Sequence, residues 1–176
     1  MPKLYKPDIL DRMRYLDDDV NSQDDSDGRY QVIIVGGGAL VLHGYLARGT
    51  DDIDVLDAHR SLYALMQAYD MNGDVNAYIN SFPYNYIDRV ELVWSGLKVD
   101  FYIASLEDIV VSKLCSSRPD DLKDIELLFD KIDWDILDKL AHDEYEIKAS
   151  SLNEFRYLDF LAAYEDFVKR FRPCEN

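Results

Sequence analysis

Gln31-Val32-Ile33-Ile34-Val35 is an apolar run of strand length that ends on Gly36-Gly37-Gly38 and passes into Ala39-Leu40-Val41-Leu42. No other feature constrains the fold as strongly. Glycines at such a step let the chain turn tightly and bring bare backbone N–H groups to an anion at the start of the next helix. Arg48-Gly49-Thr50-Asp51-Asp52-Ile53-Asp54-Val55 follows closely. Strand alternation puts Asp52 and Asp54 on one face and turns Ile53 and Val55 to the other, toward a core. Two carboxylates on one face repel unless a cation joins them, and oxygen-only ligands suit Mg²⁺ or Mn²⁺. A dinucleotide-binding turn is excluded, because its third glycine would fall on Val41. A P-loop is excluded because no Gly-Lys-Ser or Gly-Lys-Thr occurs.

The rest of the chain gives a coarse order of elements. Ile9, Leu10, Met13 and Leu16 predict a short helix over 7–16, and the aspartate-rich run from Asp17 to Gly28 predicts a solvated loop. The glycine step predicts a helix from Ala39 to Ala47 and a strand over 50–57. Leu62, Leu65, Met66 and Tyr69 predict a further helix, capped by Asp57 or Ser61, and 73–86 reads as loop. Val90–Trp94 and Lys98–Ile103 predict a hairpin around Ser95-Gly96. On its second strand Asp100 alternates with Val99 and Phe101, which aims it at the face expected for Asp52 and Asp54.

From Ser105 onward the pattern is helical. Lys113 falls in the apolar arc of Leu106, Ile109 and Val110, so its ammonium either meets an anionic partner or reaches water along its stem. Pro119 opens the next helix, with Asp121 and Asp124 on one face, where the helix dipole favours them. Phe155, Tyr157, Phe160, Tyr164 and Phe167 form a late aromatic stripe suited to a core or a protein interface. His43, His59 and His142 lack metal-ligand spacing, and His43 reads as a packing or hydrogen-bonding residue.

This arrangement resembles the nucleotidyltransferase superfamily that includes DNA polymerase beta, in the minimal bacterial form of abortive-infection and toxin–antitoxin nucleotidyltransferases. The likeness rests on the glycines, on Arg48, Thr50, Asp52, Ile53 and Asp54, on Asp100, and on Lys113 with Asp121 and Asp124. It covers roughly residues 30 to 130, and Gly38 stands where the family usually carries Ser or Thr. The resemblance implies an α/β (α+β) nucleotidyltransferase fold, a short mixed sheet backed by helices with a C-terminal helical layer. It implies Asp52, Asp54 and Asp100 as Mg²⁺ or Mn²⁺ ligands, with Asp100 also as general base. Gly36, Gly37, Gly38, Arg48, Thr50, Asp121 and Asp124 would bind the nucleotide, and Lys113 would neutralise its phosphates. The implied reaction transfers NMP from an NTP to a hydroxyl of an RNA 3′ end or of a protein. The implied setting is a toxin–antitoxin or phage-defence system, with a cognate antitoxin as partner. The other reading is a catalytically inactive relative acting as an antitoxin or regulatory subunit, which the loss of the hydroxyl at Gly38 favours.

Charge and length narrow the partners. A net charge of -16 argues against extended DNA or RNA binding, which needs phosphates neutralised by Lys and Arg. Lys3, Lys6, Arg12 and Arg14 near the start, and Lys169, Arg170 and Arg172 near the end, read as ordinary solvated helix ends. The chain has 176 residues, and we expect one continuous unit: residues 1–29 as a helix and acidic loop, 30–130 as the catalytic core, and 131–176 as helices packed on it. No apolar run approaches membrane-spanning length and no signal-peptide core is visible, which predicts a cytoplasmic protein. Cys115 and Cys174 are too few for a disulfide framework or a zinc site, in keeping with a reducing compartment.

Overall fold

The computed structural model describes residues 2–116 and 118–173, so Cys174 lies outside the described residues. The fold is mixed α/β, built on a five-stranded mixed sheet. Two compact units emerge, Met1–Ala77 with Val90–Ala104, and Tyr78–Arg89 with Ser105–Asn176. The boundary at residue 104 falls inside the segment 30–130 expected as one core.

The first unit holds α1 (Lys6–Gln23), β1 (Tyr30–Ile34), α2 (Gly36–His43), β2 (Ile53–Leu56), α3 (Tyr63–Ala68), β3 (Met71–Asn72), β4 (Glu91–Ser95) and β5 (Val99–Ile103). The sheet order is β3-β2-β1-β5-β4, with β1 antiparallel to β2 and parallel to β5. Val32, Ile34, Ile53, Val55, Val99 and Phe101 are all fully buried on one side of it. Gly38 packs on that side, where an added Cβ would lie 3.3 Å from Ile34 Cγ2 and 3.6 Å from Ile53 Cγ2. The glycine in the family's hydroxyl position therefore serves close helix–sheet packing.

α1 runs seven residues past the expected end, through the first part of the run read as a solvated acidic loop. Its buried stripe of Ile9, Met13 and Leu16 continues to Val20, and Asp17 between them is only 2% exposed. The Asp17 carboxylate accepts the N–H groups of Leu97 (2.7 Å), Lys98 (2.7 Å) and Val99 (2.8 Å), which closes the β4–β5 turn. A side chain at Gly96 would collide with that carboxylate. β3 forms within a stretch where alternation gives no strand signal, by pairing Met71 with Ile53 and Asn72 with Asp54.

The second unit contains α4 (Leu106–Ser116), α5 (Pro119–Glu126), α6 (Trp134–His142), α7 (Ile147–Ser150) and α8 (Glu154–Phe171). Phe160, Tyr164 and Phe167 of α8 are buried as the aromatic stripe predicts, while Phe155 is 80% exposed. Arg89 forks between Asp108 (2.8 Å) and Glu146 (3.0 Å), pinning the 78–89 segment to this helical layer. Burial pushes the Cys115 thiol up to about 12, which keeps it protonated and unreactive. Among the described residues no helix is long and apolar enough to cross a membrane.

Candidate active site

The glycines begin α2 itself, with Val35 as the N-cap. A helix leaves its first four N–H groups without intrahelical acceptors. Here the Val35 N–H donates to Asp54 O (2.9 Å), and the helical ladder begins with Ala39 N–H to Val35 O. The intervening donors are those of Gly36, Gly37 and Gly38, gathered at the positive end of the helix dipole. Gly36 has φ +58°, a left-handed conformation that side chains resist. A Cβ added there would lie 3.1 Å from Asp54 Oδ2, and one added at Gly37 would lie 2.9 Å from Thr50 Oγ1. The missing side chains thus let β2 and the loop before it come against the helix start.

The loop carrying Arg48 and Thr50 is held from the N-terminal segment. Leu4 and Thr50 exchange both backbone hydrogen bonds, at 2.7 and 2.9 Å, and Lys3 reaches Asp51 at 2.6 Å. Lys6 Nζ donates to Leu42 O at the far end of α2 (2.7 Å). Thr50 is buried, whereas Arg48 and Asp52 are exposed. Asp52 lies one residue before β2, and Asp54 is half-buried within it. From β3, Asn72 Nδ2 approaches Asp54 Oδ1 at 3.4 Å. His43, a turn along α2, bonds Ala104 O at 3.0 Å and stacks on Tyr45.

Asp100 has the expected face but not the expected height. Ile33 pairs with both Leu56 and Tyr102, so Asp54 and Asp100 point to the same side of the sheet. Along the strands, however, Asp100 is level with Gln31 while Asp54 is level with Val35. That is roughly 13 Å along the strands and about 10 Å across them, too far for carboxylates that share a cation. One step beyond β5, the position level with Asp54 belongs to Ala104. Asp100 is instead gripped by Arg29, through Nε (3.0 Å) and NH2 (2.5 Å), and by the Ser95 hydroxyl (2.5 Å). Arg29 holds its carboxyl below the ordinary carboxylate value. The expectation of Asp100 as third ligand and base is corrected on these grounds.

Lys113, Asp121 and Asp124 come together in the second unit. The Lys113 ammonium, 8% exposed, bonds Asp121 Oδ1 (2.6 Å) and Asp124 Oδ2 (3.1 Å). Burial pushes the Asp121 carboxyl up, but Lys113, Ser116 and Arg118 outweigh it and leave it below its ordinary value. The anionic partner that the buried lysine called for is therefore this aspartate pair.

The donor set can be tested against the divalent cation that the resemblance implies. Among the described residues no group of three or more His, Cys, Asp or Glu gathers as a metal centre. Asp54, with Asp52 two residues before it, offers the oxygen donors that a hard cation takes together with phosphate and water oxygens, the usual mode for Mg²⁺. A two-ion site built on three carboxylates does not fit. Asn72 and Asp17 escaped sequence reasoning, since only strand pairing and helix packing bring them to their partners.

A family model described as "Nucleotidyltransferase of unknown function (DUF6036)" matches residues 11–172. No curated protein and no solved structure matches the chain.

Proposed function

The chain belongs to this family of nucleotidyltransferases of unknown function, and from that footing we propose that it binds a nucleoside triphosphate with one Mg²⁺ or Mn²⁺ and transfers its NMP to a hydroxyl. The observation that supports this best is the close approach of Asp54 to Gly36, which sets a carboxylate beside the first residue of a helix that opens on three glycines. The N–H groups of Gly36, Gly37 and Gly38 would donate to phosphate oxygens, and the exposed Arg48 adds charge at the rim. Asp52 and Asp54 would hold the cation, which when bound supplies charge neutralisation for the phosphates. The acceptor oxygen forms a bond to the α-phosphorus as the bond to pyrophosphate breaks, and Asp52 takes the hydroxyl proton. An RNA 3′ end or a protein side chain suits a surface too acidic for a long polynucleotide. A role as the toxin of a toxin–antitoxin or phage-defence pair follows from the resemblance alone.

The distance of Asp100 from Asp54 favours a second reading, nucleotide binding without transfer by a regulatory subunit. One experiment separates the two: purified protein with cell lysate, each labelled NTP and Mg²⁺, run beside thermal melts. The first reading expects a Tm rise with Mg²⁺ and NTP together, label on an acceptor, and loss of both in Asp54→Ala. A Tm rise without label supports the second reading. Equal melts in wild type and Asp54→Ala sink both.

A further inference from the structure

Asn72 is the one side chain from β3 that reaches Asp54, and two hydrogen bonds fix which end of its amide does so. Its Oδ1 accepts the Asp74 N–H at 2.9 Å, an Asx turn that orients the amide. Nδ2 is thereby turned to Asp54 Oδ1 at 3.4 Å, across the register pair Asp54–Asn72. The neighbour of Asp54 in the sheet is thus a neutral donor in a position that a carboxylate of nearly the same shape could occupy.

Resting on the nucleotide-binding reading above, we infer that Asn72 is a positioning and specificity residue of the cation site. It bonds Asp54 Oδ1 while Oδ2 stands at the start of α2, and it adds no third negative charge beside Asp52 and Asp54. Two carboxylates hold a hard cation weakly by themselves and strongly once phosphate oxygens complete its shell. Asn72 therefore makes cation binding depend on the nucleotide, and the ion arrives with its triphosphate instead of resting in the empty site.

The test titrates Mn²⁺ alone, and then Mn²⁺ with a non-hydrolysable NTP, into wild type, Asn72→Asp and Asn72→Ala. Free Mn²⁺ is read by its EPR signal, and folding by circular dichroism. Wild type should bind Mn²⁺ at least tenfold more tightly with nucleotide than without. Asn72→Asp should bind Mn²⁺ alone at least tenfold more tightly than wild type, because a third carboxylate joins the site. Asn72→Ala should show none of the tightening of Mn²⁺ alone expected for Asn72→Asp and should weaken Mn²⁺–nucleotide binding about fivefold, and this variant decides the matter if Asn72→Asp melts early. Wild-type affinities in both variants overturn the inference while the nucleotide reading stands. Tighter Mn²⁺ in Asn72→Asp without nucleotide binding by any variant overturns the nucleotide reading and supports the placement of Asn72.

Discussion

At the scale of single residues, partners decide what a carboxylate does. Asp100 spends both oxygens on Arg29 and Ser95, and Arg29 also donates to Leu97 O and Gly96 O, so the pair ties the β4–β5 turn to the start of β1. Its carboxyl titrates below the ordinary value in the folded protein. A depressed carboxylate contributes stability above its unfolded pKa and loses that contribution as pH falls through the folded value. Asp100→Asn should therefore cost about 1 kcal/mol at pH 7, a charged hydrogen-bond value reduced because Arg29 is 42% exposed. Urea melts at pH 7 and pH 3 check this, and the gap from wild type should narrow at the lower pH. Intact stability with lost Mn²⁺–nucleotide binding would return Asp100 to the site.

At the scale of elements, the α4–α5 pair is pinned by charge where most helix pairs are pinned by apolar contact. Lys113 lies in the stripe of α4 that buries Ile109 and Val110, and α5 answers with Asp121 and Asp124. Removing one partner of a buried ion pair strands the other, a loss of about 3–5 kcal/mol. Lys113→Met keeps the stem, removes the ammonium and leaves two buried carboxylates without it. We expect a loss of about 3 kcal/mol in chemical denaturation without nucleotide. Lys113→Met with Asp121→Asn and Asp124→Asn should recover much of it, since no buried charge is then left unpaired and Arg118, which also bonds Asp121, is 76% exposed. A single variant as stable as wild type would show that the ammonium is solvated in solution.

At the scale of the whole molecule, 35 acidic residues against 19 basic ones make self-repulsion a standing cost of folding. Many of the basic side chains are already committed, Lys3 to Asp51, Arg12 to Asp70, Arg29 to Asp100 and Arg170 to Glu126. Salt should therefore screen more repulsion than attraction. The Tm is expected to rise from about 10 mM to about 150 mM NaCl, where the Debye length shrinks to roughly 8 Å. A falling Tm would mean that surface ion pairs outweigh the net charge. NaCl should act equally on wild type and Asp54→Ala, which separates this general screening from the specific effect of Mg²⁺ with nucleotide.

The local geometry of the candidate site, Asp54 beside the glycine start of α2, was legible in the sequence. The glycine step, the strand before it and the alternation of Asp52-Ile53-Asp54-Val55 depend on neighbours a few residues apart, and the first unit builds the site from them. The β4–β5 hairpin was legible for the same reason, and so was the face on which Asp100 lies. Its height was not, because sliding β5 along β1 by two or four residues returns every apolar side chain to the same face. Alternation is blind to such slips, and the tertiary contacts of the whole strand, among them those of Asp17 and Arg29 with the β4–β5 turn, set the register seen here. Asn72 and Asp17 were hidden likewise. A two-residue strand has no period to read, and an aspartate in an acidic run looks solvated until a hairpin distant in sequence offers it three N–H groups. Short-range pattern determined which residues were candidates for one site, and strand register decided which of them stand near one another.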